Sequence, residues 1–113
     1  TQVKIPVGNL EIIRDIGSIR DLQGAFLAVL DSSDRQDDCE VFNVCSGAGK
    51  HLGRLAEGLA RHLGVRARFE VDPSRVRPGE PASIIGTHEK LTRLTGWSPT
   101  CRTEQALIES FVG

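Results

Sequence analysis

The apolar positions of this chain recur in two rhythms, and the points where one gives way to the other divide it into short strands and helices. "EIIRDI", from Glu11 to Ile16, reads as a short strand. Ser18, with Asp21 three residues on, then looks like a capping pair that opens a helix. Leu22, Ala25, Phe26, Val29 and Leu30 recur at spacings of three and four, which predicts one core-facing side for that helix. "DSSDRQDDCE", residues 31–40, is polar and acidic, as a solvated loop is. "VFNVC" follows as a predicted buried strand. The next helix carries Leu52, Leu55, Ala56, Leu59, Ala60 and Leu63 on one stripe, with Gly64 as its stop. After the strand "RARFEV" comes "DPSRVRPGEP", whose three prolines and one glycine argue against regular structure. Thr87 can cap a short helix through Leu94. Thr103 can cap a last one carrying Ala106, Leu107 and Phe111, with "TGWSP" joining the two. Strands alternate with helices, so the expected class is α/β: short strands alternating with helices in a small sheet flanked by helices.

Length and composition narrow the functional classes. At 113 residues the chain has room for one modest core, and no repeat, low-complexity tract or second domain interrupts it. The chain is 39% hydrophobic and 26% charged, with a formal net charge of -1, so neither a polyelectrolyte patch for nucleic acid nor a membrane face is indicated. Cys39, Cys45 and Cys101 lack metal-ligand spacing, and their odd number suits reduced thiols in a cytoplasmic compartment. The chain contains no methionine and opens on Thr1, which sets the expectation of a piece of something longer.

The stretch with the clearest chemical suggestion is "VFNVCSGAGKHLG", Val41 to Gly53, because a strand, a glycine turn and a helix start are how phosphate loops are built. Its spacing fits neither common pattern. For a nucleotide P-loop, Val44 stands where a glycine is needed, and His51 where a magnesium-binding hydroxyl is needed. For a dinucleotide loop, Gly47 and Gly49 supply G-x-G, but the third glycine position is Leu52 and Gly53 comes one place late. Glu70 does fall roughly twenty residues on, where a ribose-binding acid is expected.

Catalytic sets are absent from the pattern. His51, His62 and His88 have no zinc spacing and read as exposed or capping histidines. Ser18, Ser46 and Ser83 lack a nucleophile-elbow context, and a chain without tyrosine holds no Tyr-Lys proton relay. The charged residues of irregular segments are better ligand candidates. Arg14 stands at a strand end, and Arg75, Arg77 and Glu80 lie in a loop stiffened by Pro73, Pro78 and Pro81. Rigid guanidinium groups suit bidentate contact with phosphate oxygens; the other reading is ordinary surface arginines.

Taken in order, "VGNLEIIRDIGSIRDLQGAF", "VFNVCSGAGKHLGRLAEGL", "VDPSRVRPGE" and "KLTRLTGWSP" resemble the C-terminal third of the extended short-chain dehydrogenase/reductases that act on nucleotide sugars, the NAD-dependent epimerase/dehydratase family. The elements "GNL", "RD", "RD", "NV-SG", "DP", "RP" and "TGW-P" are most similar to the GDP-4-dehydro-6-deoxy-mannose reductases, then to the GDP-mannose 4,6-dehydratases. The resemblance implies that a cofactor-binding Rossmann portion, with its own glycine turn and a Tyr-x-x-x-Lys pair, belongs to the first two thirds of such proteins. Residues 1–113 would then be a single nucleotide-sugar-binding domain or fragment. It also implies that Arg14 and Arg77 contact a diphosphate, that Glu80 contacts a ribose hydroxyl, and that Asn9 belongs to the same substrate-binding set. Ile16 replaces a frequent aromatic residue, His51 a capping hydroxyl, and Glu80 a frequent aspartate.

The leading expectation is thus the substrate-binding portion of an NAD(P)-dependent GDP-4-keto-6-deoxy-mannose reductase-like enzyme, with a GDP-sugar as ligand. Alternatives are a fragment of an epimerase or dehydratase, or a freestanding, non-catalytic binding or assembly module. Alone, the chain is expected to be inactive, to bind neither NAD nor NADP and no metal, and either to self-associate where its missing Rossmann portion would pack or to be only marginally stable.

Overall fold

The computed structural model describes residues 2–32 and 39–112, so most of the acidic loop expected at 31–40 lies outside the described residues. Five short strands and four helices occur in the order β1 (Val3–Val7), β2 (Ile13–Asp15), α1 (Ile19–Asp31), β3 (Gly49–His51), α2 (Leu52–His62), β4 (Ala67–Val71), β5 (Ser83–Ile84), α3 (Glu89–Thr95) and α4 (Glu104–Val112). A 3-10 turn at Pro73–Arg75 follows β4. The class is α/β as expected, but the strands form two small sheets. β1 and β4 pair in parallel from Val3↔Ala67 to Val7↔Val71. β2 lies at the centre of the second sheet, antiparallel to β3 and parallel to β5.

The ends of α1, α2 and α4 follow the sequence signals, but at the start of α3 His88 rather than Thr87 stands at the N-cap, with no side-chain capping bond. Ser18 Oγ accepts from the Asp21 N–H at 3.1 Å and starts α1. Thr103 Oγ1 accepts from Ala106 N–H at 3.1 Å and starts α4. His51, standing where a hydroxyl was expected, does the same work for α2: its Nδ1 accepts from the Arg54 N–H at 3.1 Å. At the other end of α2, Gly64 takes φ +69°, the left-handed conformation that ends a helix.

Two small apolar clusters hold these elements. Ala25, Leu91 and Trp97 form one, with Ala28, Val29 and Phe42 against it; Leu55, Leu107 and Ile108 form the other, with Ile16 and Leu59. Three sequence expectations need correction. Phe26 and Leu30 are 61% and 77% exposed, because only the arc through Ala25 and Val29 meets the Trp97 cluster and nothing among the described residues covers the next arc round. Leu63 is likewise exposed, at the C-cap of α2. "VFNVC" is not a paired strand, and Val41 and Val44 are exposed. No strand among the described residues lies beside it to take the ladder hydrogen bonds. Conversely, β1, β3 and β5 had no clear signature in the sequence.

The radius of gyration is 17.2 Å, against about 13 Å for a compact domain of this length. The accessible surface is 7963 Å², where about 6,100 Å² is usual for this mass. No helix among the described residues is long and apolar enough to cross a membrane.

Candidate functional site

β2 delivers two charged neighbours to opposite sides, because successive strand residues alternate faces. Arg14 turns toward the loop after β4, where its Nη2 meets Glu80 Oε1 at 3.2 Å while its Nη1 donates to the Ile13 carbonyl at 2.8 Å. Glu80 also lines a cleft of about 380 Å³, together with Asn9, Leu10, Ile12, Leu52, Arg75 and Arg77. Three of the four site residues expected from the sequence, Asn9, Arg77 and Glu80, therefore share one wall, and the fourth, Arg14, joins them through Glu80. Arg75, on the same wall, is an addition.

Local backbone chemistry explains how these side chains arrive there. Gly8 is packed so closely that a Cβ would stand 2.7 Å from the Arg75 carbonyl oxygen, so only glycine lets β1 pass the arginine loop. Asn9 Oδ1 accepts from the Glu11 N–H at 2.8 Å, which bends the chain from β1 toward β2. The Asp72 N–H donates to the Val7 carbonyl, and Asp72 Oδ1 accepts from the Ser74 N–H and hydroxyl at 3.0 and 2.7 Å; these bonds hold its carboxyl below the usual range. Arg75 Nε stands 3.5 Å from Asp72 Oδ2. Gly79 takes φ +73°, turning the chain between Pro78 and Glu80. The ionisable residues that line the cleft are two arginines, Arg75 and Arg77, and one carboxylate, Glu80.

On the other face, Asp15 answers the question raised by the glycine-rich stretch. Its Oδ1 accepts from the Ser46 N–H and hydroxyl at 2.9 and 2.6 Å, and its Oδ2 from the Gly47 and Gly86 N–H groups at 2.9 and 3.2 Å. Burial works against the charged carboxylate, but these hydrogen bonds outweigh it and hold the carboxyl below the ordinary range. The turn amides at Ser46 and Gly47 thus hold the chain's own anion, so the turn does not fit a cofactor's pyrophosphate. Burial and the Asp15 charge push the neighbouring Cys45 thiol up, away from a reactive thiolate.

Asp21 is a second pin of the same kind. It is buried, which alone would raise its pKa, yet it accepts from the Thr100 N–H and hydroxyl and the Cys101 N–H and is held low; its own carbonyl accepts from Trp97 Nε1 at 3.1 Å. The cysteines Cys39, Cys45 and Cys101 are free thiols. No group of three or more His, Cys, Asp or Glu among the described residues could hold a metal. The pinning role of both aspartates was missed from the sequence. Its signal was an aspartate ending a strand or opening a helix, with glycine and Trp-x-Pro turns elsewhere to receive it.

Comparison with known proteins gives the class of this mixed α/β chain, that of the nucleotide-sugar epimerases, dehydratases and reductases. The chain belongs to the GDP-mannose 4,6 dehydratase family, whose sequence profile matches residues 1–110. The GDP-6-deoxy-D-mannose reductase of Pseudomonas aeruginosa is 32% identical over 104 residues, which is 92% of this chain and 33% of the reductase. Among solved structures, RMD from Pseudomonas aeruginosa complexed with NADPH superposes with a TM-score of 0.75 at 25% identity, over 98% of this chain and 34% of that one. The UDP-glucose 4-epimerase from Thermotoga maritima with UDP-glucose gives 0.73 at 27% identity, over 98% and 35%. The chain spans about a third of the length of these relatives.

Proposed function

We propose that residues 1–113 form the nucleotide-sugar-binding part of an NAD(P)-dependent reductase-like enzyme of this family, the C-terminal part by the order of its motifs. A GDP-linked keto-deoxy sugar is the ligand we favour. The observation that carries the reading is the meeting, at one cleft, of Asn9, Arg77 and Glu80 with an arginine from a strand far away in sequence. In this reading Arg77 and Arg14 neutralise the diphosphate, Glu80 accepts from a ribose hydroxyl, and Ile12 and Leu52 supply an apolar wall. The likeness to the GDP-6-deoxy-D-mannose reductase favours the GDP-sugar. The likeness to a UDP-glucose 4-epimerase solved with UDP-glucose supports a second reading, a fragment of an epimerase acting on UDP-sugars.

No step of chemistry is assigned to these residues. The NAD(P)H that would supply a hydride and the Tyr-Lys pair that would supply the proton belong, in this proposal, to a Rossmann portion outside residues 1–113. Calorimetric titration with GDP, UDP and NADPH tests the assignment. GDP should bind more tightly than UDP, NADPH should not saturate at micromolar concentration, and Arg77→Ala should weaken GDP binding by about ten- to a hundredfold, the loss of one or two charge-assisted hydrogen bonds. Arg77→Lys should recover only part of it. Saturable micromolar NADPH binding, or an Arg77→Ala change below about twofold, would overturn the reading; UDP binding above GDP would select the epimerase.

A further inference from the structure

The first three amides of α2 all have partners, but not of one kind. The Leu52 N–H donates to the Ile12 carbonyl at 3.0 Å and the Gly53 N–H to the Leu10 carbonyl at 2.9 Å, whereas the Arg54 N–H donates to His51 Nδ1 at 3.1 Å. A carbonyl oxygen keeps its lone pairs at every pH. An imidazole nitrogen does not: the neutral ring has one acceptor and one donor, and the protonated ring has two donors. Because Nδ1 accepts, the hydrogen of the neutral ring sits on Nε2, which donates to Glu11 Oε2 at 3.1 Å. The ring is also packed over Gly53, where a Cβ would stand 3.0 Å from His51 Cε1.

A second proton goes to Nδ1 and sets an N–H against the Arg54 N–H. Two donors cannot make that hydrogen bond, so the cap opens. The helix start offers no compensation. The first turn of α2 holds no acidic residue, and a cation is disfavoured at the end where the macrodipole is already positive. The Arg54 guanidinium stands 3.8 Å from Glu104 of α4, and Lys50, which precedes His51 in β3, donates to the Ala48 carbonyl. Ile13, opposite His51 across the β2–β3 pair, brings no charge. The anion on the ring is Glu11, whose side chain is 84% exposed; it holds Nε2 in either charge state and steadies the ring without restoring an acceptor at Nδ1.

The cap stands next to the cleft. Leu52 lines it, and so do Leu10 and Ile12, the residues whose carbonyls hold the other two amides. Glu11 lies between those two in the chain, so the His51 ring ties both sides of this apolar wall together. We propose that His51 is a proton-sensitive cap that couples pH to the cleft: neutral, it closes the start of α2 and sets the wall of Leu10, Ile12 and Leu52, and protonated it loosens both. The consequence for ligand binding rests on the reading of the cleft as a nucleotide-sugar site; the switch itself does not. Imidazoles change charge between about pH 5 and 8, above the carboxylate range in which Asp15 and Asp21 lose theirs.

Heteronuclear NMR of the 113-residue chain is the test. Spectra at about pH 7.5 and about pH 5.5 span the imidazole titration, and His51→Ser is the reference because a serine hydroxyl caps a helix at either pH. At the higher pH the native ring should show an unprotonated Nδ1 and a protonated Nε2. Between the two, the hydrogen-exchange protection of the Arg54 amide should fall about fivefold in the native chain, the equilibrium equivalent of one lost cap, and stay within about twofold in His51→Ser. The Leu10, Ile12 and Leu52 methyl resonances should move in step with it. GDP binding should weaken by about two- to fivefold more in the native chain than in His51→Ser over the same interval, a comparison that cancels the titration of the GDP phosphate itself. A ring protonated at Nδ1 at the higher pH, or Arg54 protection that falls equally in both proteins, overturns the proposal. So do methyl resonances that stay in place while the Arg54 amide opens, since the cap then acts on α2 alone. Should His51→Ser fail to fold, His51→Asn takes its place, asparagine being an equally strong cap. GDP that binds neither protein at either pH, beside methyl resonances that move with the Arg54 amide, removes the nucleotide reading and upholds the switch.

Discussion

Arg14 and Glu80 stand 66 residues apart in the chain, yet Nη2 and Oε1 lie 3.2 Å from each other, with side chains only 19% and 27% exposed. Half-buried in this way, the pair does more than an exposed surface bridge, since less water screens it. It fixes the guanidinium plane and also sets a carboxylate beside the place proposed for a diphosphate. The two effects separate in Glu80→Gln, which keeps an acceptor oxygen and removes the negative charge. Pyrophosphate should then bind up to about threefold more tightly because repulsion is relieved, while the preference for GDP over pyrophosphate falls because a neutral amide is a weaker acceptor for a ribose hydroxyl. Calorimetry with both ligands gives the ratio; a ratio unchanged by Glu80→Gln removes the ribose role.

Asp15 links pH to stability. Hydrogen bonds from Ser46, Gly47 and Gly86 hold its carboxyl below the usual 3.8, so the folded chain binds the proton less readily than the unfolded chain does. The stabilisation is fully present above about pH 5 and drains away as pH falls through the carboxylate range toward the lower folded value. Asp21 adds to the loss in the same direction. Asp15→Asn keeps one acceptor oxygen but aims an amide donor at backbone N–H groups that need an acceptor. At pH 7 it should cost about 2 to 4 kcal/mol, and the remaining acid dependence should be shallower than in the native chain. Urea unfolding between pH 3 and 7 measures both; equal acid slopes in the two proteins would assign the pH dependence elsewhere.

Local signals carried the helices. Ser18 and Thr103 could be read as caps because their partners lie three residues away, within one turn of the same segment. His51 shows the limit of such reading: the capping position was evident, but the acceptor is an imidazole nitrogen that propensity alone does not favour. The strands were harder. β3 and β5 have three and two residues and no apolar alternation, and they are strands only because β2 lies between them to take their backbone hydrogen bonds. For "VFNVC" the error ran the other way: its apolar content suggested a strand, while pairing depends on a neighbour that the described residues do not supply. At the candidate site, Arg14, Arg77, Glu80 and Asn9 were legible through resemblance, and the turn at Gly79 through its chemistry.

The outward arc of α1 carries Ile19, Phe26, Leu27 and Leu30, all between 61% and 77% exposed, at spacings that bring them along one side of the helix. The accessible surface of the chain, 7963 Å², is about 1,900 Å² more than a compact domain of its mass shows. Apolar patches of this kind rarely stay in water when a partner is at hand. If residues 1–113 pack against a Rossmann portion in a longer protein, then alone they should associate with themselves through this arc. Sedimentation velocity should show a weight-average mass that rises with concentration across the micromolar range. Phe26→Lys combined with Leu30→Glu should return the chain to a monomer without lowering its melting temperature by more than about 3 °C, because both side chains already face solvent and surface changes cost little. A native chain that is monomeric at every concentration and melts cooperatively at high temperature would instead favour the freestanding module. Self-association that survives the double substitution would place the contact surface elsewhere on the chain.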